Sequence, residues 1–147
     1  MGLSRSLALV LLFIVASCAM PAVASGPCDQ LKFFTLHTAQ QSAWGRQDMT
    51  QLYALNLEEA KYADACGHKE SGSDRSRELE TALTQYRNVG EVELGKQQYA
   101  LARKHFLRSN VIGHELLAGG PIERADHIKG MMQGNDSDLA IIAKKLK

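Results

Sequence analysis

The sequence predicts an all-α protein with five or six helices in antiparallel succession, a helical bundle made of hairpins. After the first 24 residues, apolar side chains recur at spacings of three and four, which places them on one face of a helix. The same part of the chain has no alternating run of β-branched residues, which would be typical of a half-buried strand. With 147 residues, 45% of them hydrophobic, the chain is long and apolar enough for one domain with its own core.

The beginning of the chain predicts export. Arg5 precedes a run of ten apolar residues, which is too short to span a bilayer. An Ala-Val-Ala sequence follows, so residues 1–24 are expected to form a signal peptide that is cleaved after Ala24. The alternative is lipidation at Cys18, because the Val-Ala-Ser-Cys sequence that ends there is similar to a bacterial lipobox. Either way, we expect a periplasmic or secreted protein, and residues 25–147 form its single helical domain.

The charge of the exported part is balanced. The chain has 17 Lys and Arg against 16 Asp and Glu, and loss of Arg5 leaves 16 of each. Zero net charge argues against nucleic acid as a partner, and against a membrane unless Cys18 is lipidated. The distribution is uneven, however: residues 25–95 hold 7 basic and 11 acidic side chains, and residues 96–147 hold 9 and 5.

Residues 28–66 predict a helical hairpin closed by a disulfide. One helix is expected up to Trp44, a turn follows at Gly45–Asp48, and a second helix ends at Cys66. In an antiparallel hairpin the start of the first helix meets the end of the second, so Cys28 and Cys66 are expected within disulfide reach. An exported protein folds in an oxidising compartment, which favours this pair.

The remaining segments predict a linker and further helices. Residues 68–76 contain no large apolar side chain and are expected to be an exposed linker. Residues 80–117 predict a pair of helices that meet near Gly95. Residues 121–147 predict C-terminal capping helices, with Pro121 at the first helical position and a break at Gly134–Asn135.

The helix pair at 80–117 resembles the tetratricopeptide repeat, a helix–turn–helix unit of 34 residues. The resemblance covers one repeat and departs from the pattern at Glu93, where an aromatic residue is usual, and at His114, where proline is usual. The resemblance rests on two kinds of residue. Small residues let the two helices approach, and aromatic residues fill the space between them. The expected packing residues are Tyr86, Val89, Gly90, Tyr99, Ala102 and Phe106, with Ser109 as a further small residue.

The resemblance also implies a surface for a partner. In such repeats the first helix lines the concave face that holds a peptide or protein, and here that face is Thr84, Arg87, Glu91 and Leu94. Arg87 is the principal candidate, because a guanidinium can bind a carboxylate through two hydrogen bonds. The other candidate is the basic side around Lys96, Arg103 and Lys104.

Nothing in the sequence indicates catalysis. The chain has no H-E-x-x-H or G-x-S-x-G motif, and no catalytic residue or cofactor is expected. His114-Glu115 and Asp126-His127 flank the Gly-Gly-Pro sequence, but surface histidines explain them better than a metal site. We therefore expect a non-enzymatic interaction module of the cell envelope, either an adaptor or an inhibitor or immunity-type protein. The alternatives are a small-molecule or metal carrier and, less favoured, a cell-wall enzyme.

Overall fold

The computed structural model describes residues 28–120 and 122–147, so the predicted signal peptide and Pro121 lie outside the described residues. Within this part the protein is all-α, as predicted, with no strand. None of its helices is long and apolar enough to cross a membrane. The helices are α1 (Gln30–Gly45), α2 (Met49–Gly67), α3 (Gly72–Gly95), α4 (Tyr99–Ala118) and α5 (Ala125–Lys145).

Each helix packs on the next one in the chain, and α5 also returns to α3. The main core lies between α2, α3, α4 and α5, and a smaller cluster joins α4 to α5. In the main core, Leu79, Leu83 and Ile112 are fully buried. The smaller cluster contains Ala102, Phe106 and Ile142. In contrast, α1 packs mainly on α2 and reaches α3 through a hydrogen bond from Gln30 to Glu78, which leaves a cleft between α1 and α3.

The turns of the two hairpins, α1–α2 and α3–α4, have the same backbone geometry. Gln47 and Gln97 both adopt a left-handed conformation, with φ of 58° and 60°, and they lie 97 − 47 = 50 residues apart. In each turn this residue donates its N–H to the carbonyl three positions back, at 2.9 Å to Trp44 and 3.0 Å to Leu94. The next residue donates to the carbonyl five positions back, at 2.9 Å in both turns. The α1–α2 and α3–α4 hairpins therefore have turns with the same hydrogen-bonding pattern.

The open end of the first hairpin carries the disulfide between Cys28 and Cys66, whose Cα atoms are 5.3 Å apart. The Asp29 side chain caps α1 by accepting the N–H of Leu31 at 2.9 Å. Its own N–H donates to the Tyr62 hydroxyl at 2.6 Å. The first residues of the described chain are thus fixed to the end of α2, as the hairpin prediction requires.

In the α3–α4 pair, a glycine and a phenyl ring determine how closely the helices approach. A Cβ atom on Gly90 would lie 3.0 Å from two ring atoms of Phe106, so only glycine fits there without displacement. Val89, Ala102 and Phe106 are fully buried. Tyr99 is only half-buried, beside the smaller cluster.

The predicted linker at 68–76 is too long, because α3 already begins at Gly72. The first turn of α3 is stabilised by polar contacts and not by burial of apolar side chains. Arg77 pairs with Asp74 at 3.0 Å, and Arg75 comes within 3.9 Å of Glu115 on α4. The lack of large apolar side chains therefore marked an exposed helical turn.

The predicted break at Gly134–Asn135 is wrong, because α5 continues through both residues. The Arg87 guanidinium lies against Gly134, where an added Cβ would clash with both of its terminal nitrogens. Asn135 is fully buried and donates to Ser109 Oγ at 2.9 Å and to Asn110 Oδ1 at 2.8 Å. Gly134 and Asn135 are locally typical of a helix end, but their contacts with α3 and α4 keep them inside α5.

Candidate functional site

A groove with a volume of about 630 Å³ lies between α2 and α4. One side of α4 forms most of it, because residues three or four positions apart lie on the same face of a helix. Lys61 of α2 closes the opposite side, and Tyr86 of α3 lies beneath. The α4 residues are Ala100, Arg103, Lys104, His105, Leu107, Arg108 and Val111.

The groove carries uncompensated positive charge. Lys61, Arg103 and Lys104 are exposed, and none of them forms an ion pair with any described residue. Arg108 differs, because its guanidinium binds the Asp64 carboxylate through two hydrogen bonds of 2.8 and 2.6 Å. Three cations at one groove attract a carboxylate or another anion, and Arg103 offers two parallel donors to it.

Two buried rings line the groove together with apolar side chains. Tyr86 and His105 are 8% and 7% exposed, and their rings stack with centroids 5.7 Å apart. Leu107 and Val111 are 44% and 46% exposed, so they offer apolar surface between the cations. The groove therefore combines charge with apolar area.

A buried carboxylate behind the groove fixes the His105 ring. Glu93 is fully buried and accepts a hydrogen bond from His105 Nδ1 at 2.7 Å. Its other oxygen accepts the Tyr53 hydroxyl at 2.7 Å, and burial, followed by this bond to Glu93, raises the pKa of Tyr53 to about 12. His105 Nε2 has no hydrogen-bond partner among the described residues. The ring is thus held at Nδ1, and Nε2 remains available to a ligand.

A second network fixes the other side of the groove around Asp64. Burial, followed by the charge of Asp64, raises the pKa of Tyr86 to about 12. His68 comes within 3.2 Å of Asp64 and within 2.8 Å of Glu115. The pKa of His68 is raised, chiefly by a hydrogen bond to the Asp64 carbonyl, which outweighs the lowering effect of burial, and the hydrogen bond to Glu115 raises it further. The rim next to Arg108 is therefore ordered by polar contacts across three helices.

The partner surface expected from the resemblance lies elsewhere and is largely engaged within the chain. Arg87 donates to the Met131 carbonyl at 2.8 Å and pairs with Glu91 at 2.7 Å. The Thr84 hydroxyl donates to the carbonyl of its own helix four residues back, at 2.9 Å. Leu94 packs beside the smaller core cluster. Arg87 thus connects α3 to α5, and it would have to give up these contacts in order to bind a partner.

Of the alternative basic side, Arg103 and Lys104 lie in the groove, whereas Lys96 sits over the Tyr53 ring at 5.2 Å. The histidine pairs beside the Gly-Gly-Pro sequence do not come together as ligands. Glu115 instead faces His68, and no three His, Cys, Asp or Glu side chains among the described residues gather as a metal ion requires.

Sequence reasoning missed Lys61 and the Glu93–His105 pair. Glu93 lies three and four positions after Gly90 and Val89, on the packing face of its helix, which signals a buried acid that needs a partner. The partner lies on the next helix, so its identity depends on how the helices pack.

No protein-family model, curated protein sequence or solved structure matches this chain.

Proposed function

We propose that this chain is an exported protein-interaction module of the helical-repeat kind, and that its α2–α4 groove binds an acidic segment of a partner protein. The observation that carries the proposal is the group of three unpaired cations, Lys61, Arg103 and Lys104, around a groove with apolar walls. The proposal assigns the protein no catalytic role.

The composition of the groove favours a protein segment with both charged and apolar side chains. Aspartate or glutamate side chains would pair with Arg103 and Lys104 at the exposed rim. An apolar side chain would lie against Leu107 and Val111, which are partly exposed without a partner. Interfaces commonly combine apolar contact with arginine in this way.

Two further observations support the wider proposal. The repeated turn geometry of the two hairpins, at Gln47 and Gln97, fits a helical-repeat architecture. The disulfide between Cys28 and Cys66 fits an oxidising compartment such as the periplasm or the cell exterior.

Selection of peptides from a random displayed library tests the groove. We expect selected peptides to be rich in Asp and Glu and to contain an apolar residue. Arg103→Glu and Lys104→Glu should each weaken binding about tenfold or more, because reversal replaces attraction by repulsion. Both side chains are exposed, so the melting temperature should stay close to that of the parent.

Lys129→Glu is the matched control, because Lys129 is an exposed cation on α5, away from the groove. Peptide affinity unchanged by Arg103→Glu would refute the assignment of the groove.

The volume of about 630 Å³ also suits a small anionic molecule. Binding of free dicarboxylates that is sensitive to Arg103, without any peptide selection, would favour that alternative.

A further inference from the structure

A second groove, of about 340 Å³, lies between α1 and α3, on the other side of α2. Glu59 of α2 lines it, whereas Lys61 lines the basic groove. Two residues on a helix point roughly 200° apart, so these side chains face opposite sides of α2. The groove is lined by Gln30, Phe33, Phe34, His37, Glu59, Arg77, Glu78 and Thr81.

Glu59 is a buried carboxylate without a counter-ion in the described part of the chain. It is 5% exposed and forms no ion pair with a described residue. The side-chain amides of Gln40 and Gln85 both donate to its Oε2, each at 2.6 Å. Its Oε1 accepts no hydrogen bond from any described residue. Burying a charge without a cation is costly, so a cation that enters the groove would bind favourably there.

The neighbouring charges do not neutralise Glu59. Glu78 is 2% exposed and accepts from Arg77 at 2.8 Å and from Gln30 at 3.3 Å. The Arg77 guanidinium also pairs with Asp74, so it already serves two carboxylates.

An aromatic surface borders the same groove. Phe34 is 68% exposed and lines the groove together with Phe33. An exposed phenyl ring can hold an alkyl chain or the face of a guanidinium, and it attracts a positive charge. A buried acid next to an exposed aromatic ring is the combination that suits an organic cation.

We propose that the α1–α3 groove binds an alkyl ammonium or guanidinium group, with Glu59 Oε1 as its acceptor and Phe34 as its apolar contact. The group belongs either to a lysine or arginine side chain of a protein or to a free amine. This site is independent of the basic groove, and it gives the two sides of α2 ligands of opposite charge.

Titration followed by NMR tests this site. The probes are pentylamine and two neutral peptides that contain one lysine or one arginine. The side-chain amide signals of Gln40 and Gln85 report locally, because both groups donate to Glu59. Saturable shifts of these signals are expected in the parent. Glu59→Gln, which keeps the shape but removes the charge, should weaken binding about tenfold or more.

Glu58→Gln is the matched control, since Glu58 is an exposed neighbour that pairs with Lys32 at 3.3 Å, and its affinity should equal that of the parent. Phe34→Ala changes an exposed residue, so it should keep the fold and still weaken binding. It tests the site even if Glu59→Gln fails to fold. Binding of the peptides alone identifies a protein side chain as the ligand, and binding of pentylamine alone identifies a free amine. No saturable shift with any probe, or equal affinity in the Phe34→Ala variant, would overturn the proposal.

Discussion

Replacing Gly90 by alanine sets two effects of opposite sign against each other. Alanine is favoured over glycine inside a helix by about 1 kcal/mol. The added methyl group, however, would lie 3.0 to 3.1 Å from three ring atoms of Phe106, which is fully buried. Overpacking of this kind costs about 1–3 kcal/mol. We therefore expect Gly90→Ala to change the free energy of unfolding by a net loss of about 0–2 kcal/mol.

Gly130→Ala separates the two effects. Gly130 lies inside α5 and is exposed, and a methyl group added there would meet no atom of another described element within 4 Å. Alanine at this position should stabilise the protein by about 1 kcal/mol. The difference between the two variants in free energy of unfolding then measures the cost of the contact with Phe106 alone, which we expect to be about 1–3 kcal/mol.

Urea unfolding followed by circular dichroism, with the disulfide oxidised in all samples, gives both values from the transition midpoints. The slope of the free energy with urea should be the same in parent and variants. If Gly90→Ala stabilises the protein as much as Gly130→Ala does, the close approach of α3 and α4 at Phe106 is wrong.

The remaining predictions concern the disulfide and the charge of one histidine. Reduction of the Cys28–Cys66 bond, which joins residues 38 apart, should lower the free energy of unfolding by about 4 kcal/mol in the chain-entropy model. Urea unfolding with and without reductant measures this loss, and equal midpoints would contradict it. His68 should titrate above its ordinary pKa of 6.5 in an NMR pH series. Because its folded pKa is raised, its stabilising contribution is complete below pH 6.5 and is lost as the pH rises through the folded pKa. A His68→Gln variant should remove that pH dependence, and a measured pKa at or below 6.5 would contradict the reasoning.

Local signals in the sequence were sufficient for the hairpins. The Gly45–Asp48 turn and the two cysteines on either side of it predicted both α1 and α2 and the bond that joins them. The end of the chain was predicted less well, because Gly134 and Asn135 are locally typical of a helix end. The helix α5 continues because the Arg87 guanidinium lies against Gly134 and because Asn135 is hydrogen-bonded to Ser109 on α4.

The basic groove depended on information that a single helix does not contain. The side of α4 that includes Arg103 and Lys104 follows from its spacing, and these two residues were already considered as a basic side. Lys61 joins them only because α2 lies beside α4 across the groove. Likewise, Glu59 Oε1 is left without a partner among the described residues because the amides from α1 and α3, those of Gln40 and Gln85, both donate to Oε2.

The order in which the helices pack has a consequence for folding kinetics. In the described part of the chain, the helices pack mostly on their neighbours in sequence, and fewer contacts skip a helix, such as the return of α5 to α3 and the pairing of Arg108 on α4 with Asp64 on α2. Such local topology has a low contact order, and helical domains of this kind fold within microseconds to milliseconds. Closure of the first hairpin brings Cys28 and Cys66 together, whereas disulfide formation takes seconds to hours. We therefore expect oxidation to trap a hairpin that has already formed, so that the bond secures the native fold and does not direct the search for it.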